Sequence, residues 1–265
     1  MLPSAAAMEN RVLKLNGVHN FRDYGGYPGA DGARVKTGQL WRSAQHGDAS
    51  DADLTAIHNL GIATVIDLRG PSEYEGKPCR RHPDFAAQVF RYPEETAGLA
   101  LHTEAADGVV TAAEARAAML RLYEGIAFRE NLVPMLRCYF EVLRRAEGPS
   151  LVHCVAGKDR TGFAVALAQH VLGVDRDAIL SDYVLTNQAG NIEARIAAGA
   201  EQIRSKYGQI DEATIRTLMG VEEDYLVTAL AAVEARHGTI DGYLSAVIGL
   251  DDADRKALLA HYLEG

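Results

Sequence analysis

Apolar and polar residues change rhythm several times along this 265-residue chain, and each change marks an element. From Asp51 to Leu60 the apolar positions Leu54, Ile57 and Leu60 fall at helical spacing, and Gly61 is a stop signal. Ile62 to Leu68 follows as a short run with the character of a buried strand. A second helix-then-strand succession occupies 135–153 and ends in Pro149-Ser150-Leu151-Val152. Phe163 to Leu172 is made of strong helix formers, and Gly173 stops it. This alternation predicts an α/β fold, with a central, mostly parallel sheet flanked by helices.

Other stretches refine that plan. Residues 11–44 carry turn signals (Gly25-Gly26, Pro28-Gly29, Asp31-Gly32) between short apolar pieces, which suggests small strands and loops. Residues 109–128 hold an Ala-rich helical pattern that suits a mobile cover as well as a fixed core helix. Beyond Gly173 the pattern is helical almost throughout. Asp175 stands as an N-cap before Ile179-Leu180, Asp211 before Ile215-Leu218, Val221 to Arg236 runs to Gly238, and Asp251 opens a last helix. Residues 1–10 read as a loose tail and 11–265 as one domain, with a lid insertion at 100–130 as an open option.

Composition narrows the function classes. An apolar fraction of 48% with 24% charged residues is that of an ordinary water-soluble domain. A formal charge of −9 argues against nucleic-acid binding. Three cysteines suggest a reducing compartment without a disulfide framework. No signal peptide and no run of membrane-spanning length is evident, so the expected location is cytoplasmic, with export by another route left open. His170, His237 and His261 are dispersed, and no metal-ligand spacing or cofactor motif stands out.

The chemistry concentrates in His153-Cys154-Val155-Ala156-Gly157-Lys158-Asp159-Arg160-Thr161-Gly162, between the strand and helix patterns. A tight loop feeding a helix start converges backbone N–H groups, and the helix dipole favours negative charge there. Val155 to Thr161 therefore form a candidate cradle for phosphate or another oxyanion. Arg160, six residues after Cys154, adds a fork for two of its oxygens. The same field favours the Cys154 thiolate as a nucleophile. Thr161 offers a donor to the sulfur, or is simply a first-turn residue. His153 fits a structural role.

These residues resemble the cysteine-dependent protein tyrosine phosphatase superfamily, and more narrowly the bacterial tyrosine/serine phosphatases with a His-Cys-x-x-Gly-Lys-Asp-Arg-Thr-Gly loop. Asn20-Phe21-Arg22-Asp23-Tyr24-Gly25-Gly26-Tyr27, Lys36-Thr37-Gly38-Gln39-Leu40-Trp41-Arg42-Ser43-Ala44 and Val65-Ile66-Asp67-Leu68-Arg69 carry the narrower likeness. The resemblance covers the chain from about residue 13 to beyond Asp241-Gly242-Tyr243-Leu244. It implies a metal-free phosphomonoesterase acting through a cysteinyl-phosphate, and it raises the lid reading of the Ala-rich helix. No Trp-Pro-Asp loop exists here, because Trp41 is followed by Arg42-Ser43. The resemblance instead implies Asp159 as general acid, with Asp84 of His82-Pro83-Asp84 as the alternative. Lys158 is similar to the lysine of phosphoinositide phosphatases, where it meets a further phosphate as a point charge.

Asp67 and Arg69 end the buried strand and fit a structural network better than a ligand role. Cys79 and Cys138 are ordinary thiols or oxidation partners of Cys154. The sequence therefore predicts a phosphatase for phosphotyrosine, with phosphoserine/threonine or phosphoinositide as further substrates. An inositol-polyphosphate phosphatase and a catalytically silent phospho-binding module remain as alternatives. A rhodanese-like sulfurtransferase fits the loop length less well.

Overall fold

Four strands run parallel through the middle of the protein, and their register sets what meets at one edge. The computed structural model describes residues 11–96, 111–194, 196 and 211–265. The strands are β1 (Arg22–Asp23), β2 (Arg34–Val35), β3 (Leu40–Ser43), β4 (Thr64–Asp67), β5 (Gln88–Arg91), β6 (Ser150–His153) and β7 (Leu263–Glu264). The main sheet has the order β1-β3-β6-β4-β5, with only the β1–β3 pair antiparallel. Ser43 pairs with His153, His153 with Asp67 and Asp67 with Arg91, so four strand ends align at the carboxyl edge. Parallel sheets place their ligands there. β2 and β7 form a separate antiparallel pair that ties the C-terminus to the early chain.

Strand alternation divides the core in two. The register row Trp41, Leu151 and Val65 faces a smaller cluster with Val18, Phe21 and Leu54. The next row, with Val152 and Ile66, faces the main core. Against that second face lie α4 (Leu132–Arg145) and α5 (Asp159–Val171), and α3 (Ala112–Ile126) packs on α5. They are joined by α6 (Arg176–Val184), α7 (Glu212–Met219), α8 (Glu223–His237) and α9 (Asp252–Tyr262). α1 (Asp51–His58) and the short α2 (Pro71–Gly76) precede them. The observed α/β architecture is the predicted one, with a mostly parallel sheet flanked by helices.

The capping signals also appear. Asp175, Asp211 and Asp251 accept hydrogen bonds from Asp177, Thr214 and Asp254 backbone N–H groups. α1 starts at Asp51 as the sequence predicts, capped by Ser50 in a reciprocal box with Asp53, and ends at His58, two residues before the predicted Leu60. α5 begins at Asp159 rather than Phe163, because the chain enters helical geometry directly after Gly157 and Lys158. Asp159 to Gly162 are therefore the first helical turn, whose backbone N–H groups have no partners within the helix. β5 and α2 are elements that the sequence reading did not draw. The proposed tail at 1–10 lies outside the described residues, as does part of the lid interval; its described portion is α3, packed on α7 and α8.

α5 is buried on almost every face, with twelve of its thirteen residues enclosed. It has no polar stripe to protect, so its apolar side chains carry packing alone. Leu167→Ala should destabilise the protein by about 2–5 kcal/mol through lost burial and a cavity. Urea unfolding of the two proteins checks this, and a shift below about 1 kcal/mol contradicts the central placement of α5.

Candidate active site

The loop from Cys154 to Lys158 joins the end of β6 to the first turn of α5. Gly157 stands at its tightest point with φ +63°, where a Cβ would lie 2.3 Å from the Ser43 carbonyl oxygen. Only glycine fits that approach. The Gly157 carbonyl accepts hydrogen bonds from Asn20 Nδ2 (2.6 Å) and Arg42 Nη2 (2.9 Å). The Gln45 backbone N–H donates to the Val155 carbonyl at 3.0 Å. Two loop carbonyls are thereby engaged by neighbouring segments. Cys154 itself is 3% exposed.

A buried charge cluster stands behind these contacts. Asp182 of α6 accepts from Arg42 Nη1 (3.1 Å) and Arg22 Nε (3.3 Å), while Arg22 Nη2 reaches the Asp182 carbonyl at 2.7 Å. Tyr27 donates to the same carboxylate at 3.2 Å. Burial, aided by the repulsion of Arg42, pushes the Arg22 guanidinium down to about 10, which leaves it charged at neutral pH. The N-terminal block that carries Asn20, Arg22 and Arg42 thus serves as a brace for the loop.

Arg160 is enclosed and oriented by a partner that the sequence reading missed. Its Nη1 and Nη2 donate to the two carboxylate oxygens of Glu73 at 2.6 and 2.7 Å. Nη1 also reaches the Leu68 carbonyl (3.1 Å) and Thr96 Oγ1 (3.0 Å). Burial opposes the charge of Arg160, but the Glu73 hydrogen bonds and the neighbouring Cys154 and Glu73 charges outweigh it and raise its basicity. Its Nε is buried without a partner among the described residues, as is Thr161 Oγ1. An unpaired buried N–H carries a desolvation cost until an acceptor arrives. The only foreshadowing of Glu73 was Gly70-Pro71-Ser72-Glu73, a proline at a helix start with an acid two residues on.

Asp159 is 6% exposed and accepts a hydrogen bond from Tyr123 of α3 at 2.7 Å; Tyr183 of α6 donates to Tyr123 at 2.6 Å. Burial and the Asp159 charge raise the Tyr123 phenol well above its ordinary value, so it stays a donor. Lys158 is also buried. Its Nζ donates to the Leu218 and Gly220 carbonyls at the end of α7, at 2.7 and 3.1 Å, and lies 3.5 Å from Asp159 Oδ1. Cations suit the carbonyl end of a helix. The structure thus ties α7 to Lys158 and α3 to Asp159, with α6 joined to α3 through the Tyr183–Tyr123 hydrogen bond.

The other predicted positions separate from the loop. Arg69 grips both Asp67 oxygens at 2.8 Å, and Arg91 adds a contact at 3.3 Å, which is a structural network. His153 is fully buried, stacks on His46 with ring centres 5.5 Å apart, and burial pushes it down to about 4. Asp84 groups with His82 and His58 instead of the loop. Cys79 accepts from Arg69 Nη2 (3.2 Å), Cys138 lies half-buried on α4, and all three cysteines are free. Asp67, Cys79 and His153 place possible metal-binding atoms within 4.8 Å of one another, but Asp67 is already engaged by Arg69 and Arg91.

Residues 13–264 match the model of the tyrosine phosphatase family. A Cupriavidus necator protein assigned as a tyrosine-protein phosphatase is 34% identical, over 99% of this chain and 93% of that one. The triple specificity protein phosphatase PtpB of Mycobacterium tuberculosis is 30% identical, over 88% and 92%. The solved structure of P. aeruginosa TpbA aligns with a TM-score of 0.35 at 19% identity, over 76% of this chain and 91% of that one.

The buried histidines predict a pH dependence of stability. His153 binds its proton less readily folded than unfolded, so the unfolded state takes up more protons as pH falls below about 6.5. The stability contributed by its neutral form is full above that pH and is lost towards about 4. From about pH 7 to about pH 5 His153 alone should remove about 2 kcal/mol of folding stability. His46 is shifted in the same direction, chiefly by burial. Urea unfolding at the two pH values measures the loss, and a flat profile contradicts neutral burial of these rings.

Proposed function

Because the chain belongs to the tyrosine phosphatase family, we propose that it hydrolyses phosphotyrosine in proteins through a cysteinyl-phosphate formed on Cys154. The family makes the enzyme a phosphatase, and phosphorylated molecules are its substrates. The observation that carries the finer reading is Arg160, held by Glu73 with its Nε unpartnered, at the first turn of α5. The free Nε and the loop N–H groups fit the equatorial oxygens of a phosphoryl group, where transition-state charge is spread.

The chemistry then follows from named atoms. Cys154 Sγ attacks phosphorus as the bond to the substrate oxygen breaks, and protonated Asp159 gives its proton to that oxygen. Asp159 next takes a proton from water, whose oxygen attacks phosphorus; the S–P bond breaks and inorganic phosphate leaves. Thr161 Oγ1, unpartnered in the loop, supports a role in receiving the sulfur's negative charge. The burial of Cys154 favours a phosphate on a long, flat side chain. Phosphoserine/threonine and phosphoinositide headgroups are the further substrates to compare; Lys158 supports the headgroup reading only if its Nζ leaves the Leu218 and Gly220 carbonyls. No described helix is long and apolar enough to cross a membrane, and a cytoplasmic phosphoprotein is the substrate we favour.

Two experiments test this. Cys154→Ser should abolish turnover of a phosphotyrosine peptide in the presence of a chelator while retaining vanadate or phosphate binding. Substantial remaining turnover overturns the cysteinyl-phosphate route, and wild-type protein that binds without turnover makes the chain a phospho-binding module. Asp159→Asn should slow the peptide by about 10²–10⁴-fold but an activated aryl phosphate far less, because only the poor leaving group needs the proton. Equal slowing of both substrates would show that Asp159 shapes the loop; leaving-group dependence in Asp84→Asn alone would move the acid there.

A further inference from the structure

On the face of the sheet opposite α5, the smaller core cluster does not close. Between α1, β4 and residues 80–87 it leaves a cavity of about 340 Å³. Leu54, Ile57, Val65, Phe85 and Leu151 make its walls apolar. Its polar boundary holds Arg80, Arg81, His46, His58, His82 and Asp84, and Arg81 is the informative member. Arg81 Nη1 donates to His46 Nδ1 at 3.3 Å, the guanidinium lies 4.8 Å over the Phe85 ring, and Nη2 is enclosed without a hydrogen-bond partner among the described residues.

Among the described residues, no nearby carboxylate answers that nitrogen. Arg80 already pairs with Asp51 at 2.7 Å. Asp67 is matched by Arg69 and Arg91, and the exposed Asp84 carboxylate faces His82 at 3.8 Å. A buried guanidinium N–H with no acceptor is costly, and a carboxylate is the acceptor that its planar fork fits best. Apart from Arg80, the histidines and Asp84, the remainder of the cavity offers apolar contact. Its size is that of a small-molecule site. Since an engineered cavity of roughly 150 Å³ holds one benzene, this one has room for about ten to twelve carbons.

We propose that this cavity is a binding site for a free medium-chain fatty carboxylate, with its head on Arg81 and its tail among Leu54, Ile57 and Phe85. The charge of Arg81 selects an anion, and the apolar walls select an unbranched tail over a phosphosugar or nucleotide. The site stands apart from the phosphate loop yet touches its support. His46 forms part of the wall, stacks on His153 next to Cys154, and shares a 3.0 Å hydrogen bond with Ser43 Oγ.

Calorimetric titration of the full chain with decanoate, kept below its micellar concentration, tests the proposal. Decanoate should bind one per chain, and decanol, with the same tail and no charge, at least about tenfold more weakly. Arg81→Leu should weaken decanoate by about tenfold or more. Ile57→Trp should block the tail while leaving the turnover of an aryl phosphate unchanged, and thermal melts verify that both variants fold. The wild-type comparison of decanoate with decanol needs no variant. No decanoate binding up to about millimolar concentration, several molecules per chain, equal affinity for decanol, or an unaffected Arg81→Leu variant would each overturn the assignment.

Discussion

The site depends on one carbonyl group being held in place. The oxygen of Gly157 takes hydrogen bonds from Asn20 and Arg42, and this orientation is available because residue 157 has no Cβ to strike Ser43. Arg42 in turn is placed by Asp182, which lies between two buried guanidiniums. Two arginines around one aspartate leave an excess of buried positive charge, and carbonyl oxygens of Gly157 and Asp182 absorb part of it. Such a cluster adds little net stability by comparison with apolar packing, but removing one member strands the others at roughly 3–5 kcal/mol. Its value lies in holding the loop in a single conformation.

Arg160 is held at the other end of the loop by a different arrangement. Glu73 occupies the outer fork of its guanidinium and leaves Nε for an oxyanion. That geometry prepares the guanidinium before substrate arrives, and a group already oriented loses less freedom when it acts. Between the two anchors, Lys158 and Asp159 reach outward to α7 and α3. The helices over the loop are therefore attached to it through polar side chains. Any movement of α3 or α7 would alter the environment of the proposed acid directly.

Much of this was legible in the chain. The strand-loop-helix succession around Cys154 followed from a change of hydrophobic period, and the aspartate caps at 175, 211 and 251 from their position before apolar runs. Asp67 and Arg69 were readable as a network because they are neighbours on one strand end. β5 was missed since Gln88–Arg91 is half-exposed and only four residues long, too brief for period-two alternation to register. The start of α5 was misjudged because Gly157 and Lys158 permit the chain to enter a helix that propensity alone would begin later.

What the sequence by itself determined is the local chemistry: a thiol, a guanidinium and a carboxylate within seven residues, on a loop short enough to converge its N–H groups. Those relations are covalent neighbourhoods, and spacing along a chain encodes them. Tertiary structure alone decided which distant groups complete them. Glu73 reaches Arg160 across 87 positions, Tyr123 reaches Asp159 across 36, and Asp182 reaches Arg42 across 140. Each partner is a common residue on a helix, with no pattern around it that announces a distant contact. Packing of the helices on the sheet brings them together, and burial then makes pairing obligatory, because a charge left alone away from water is too costly to keep.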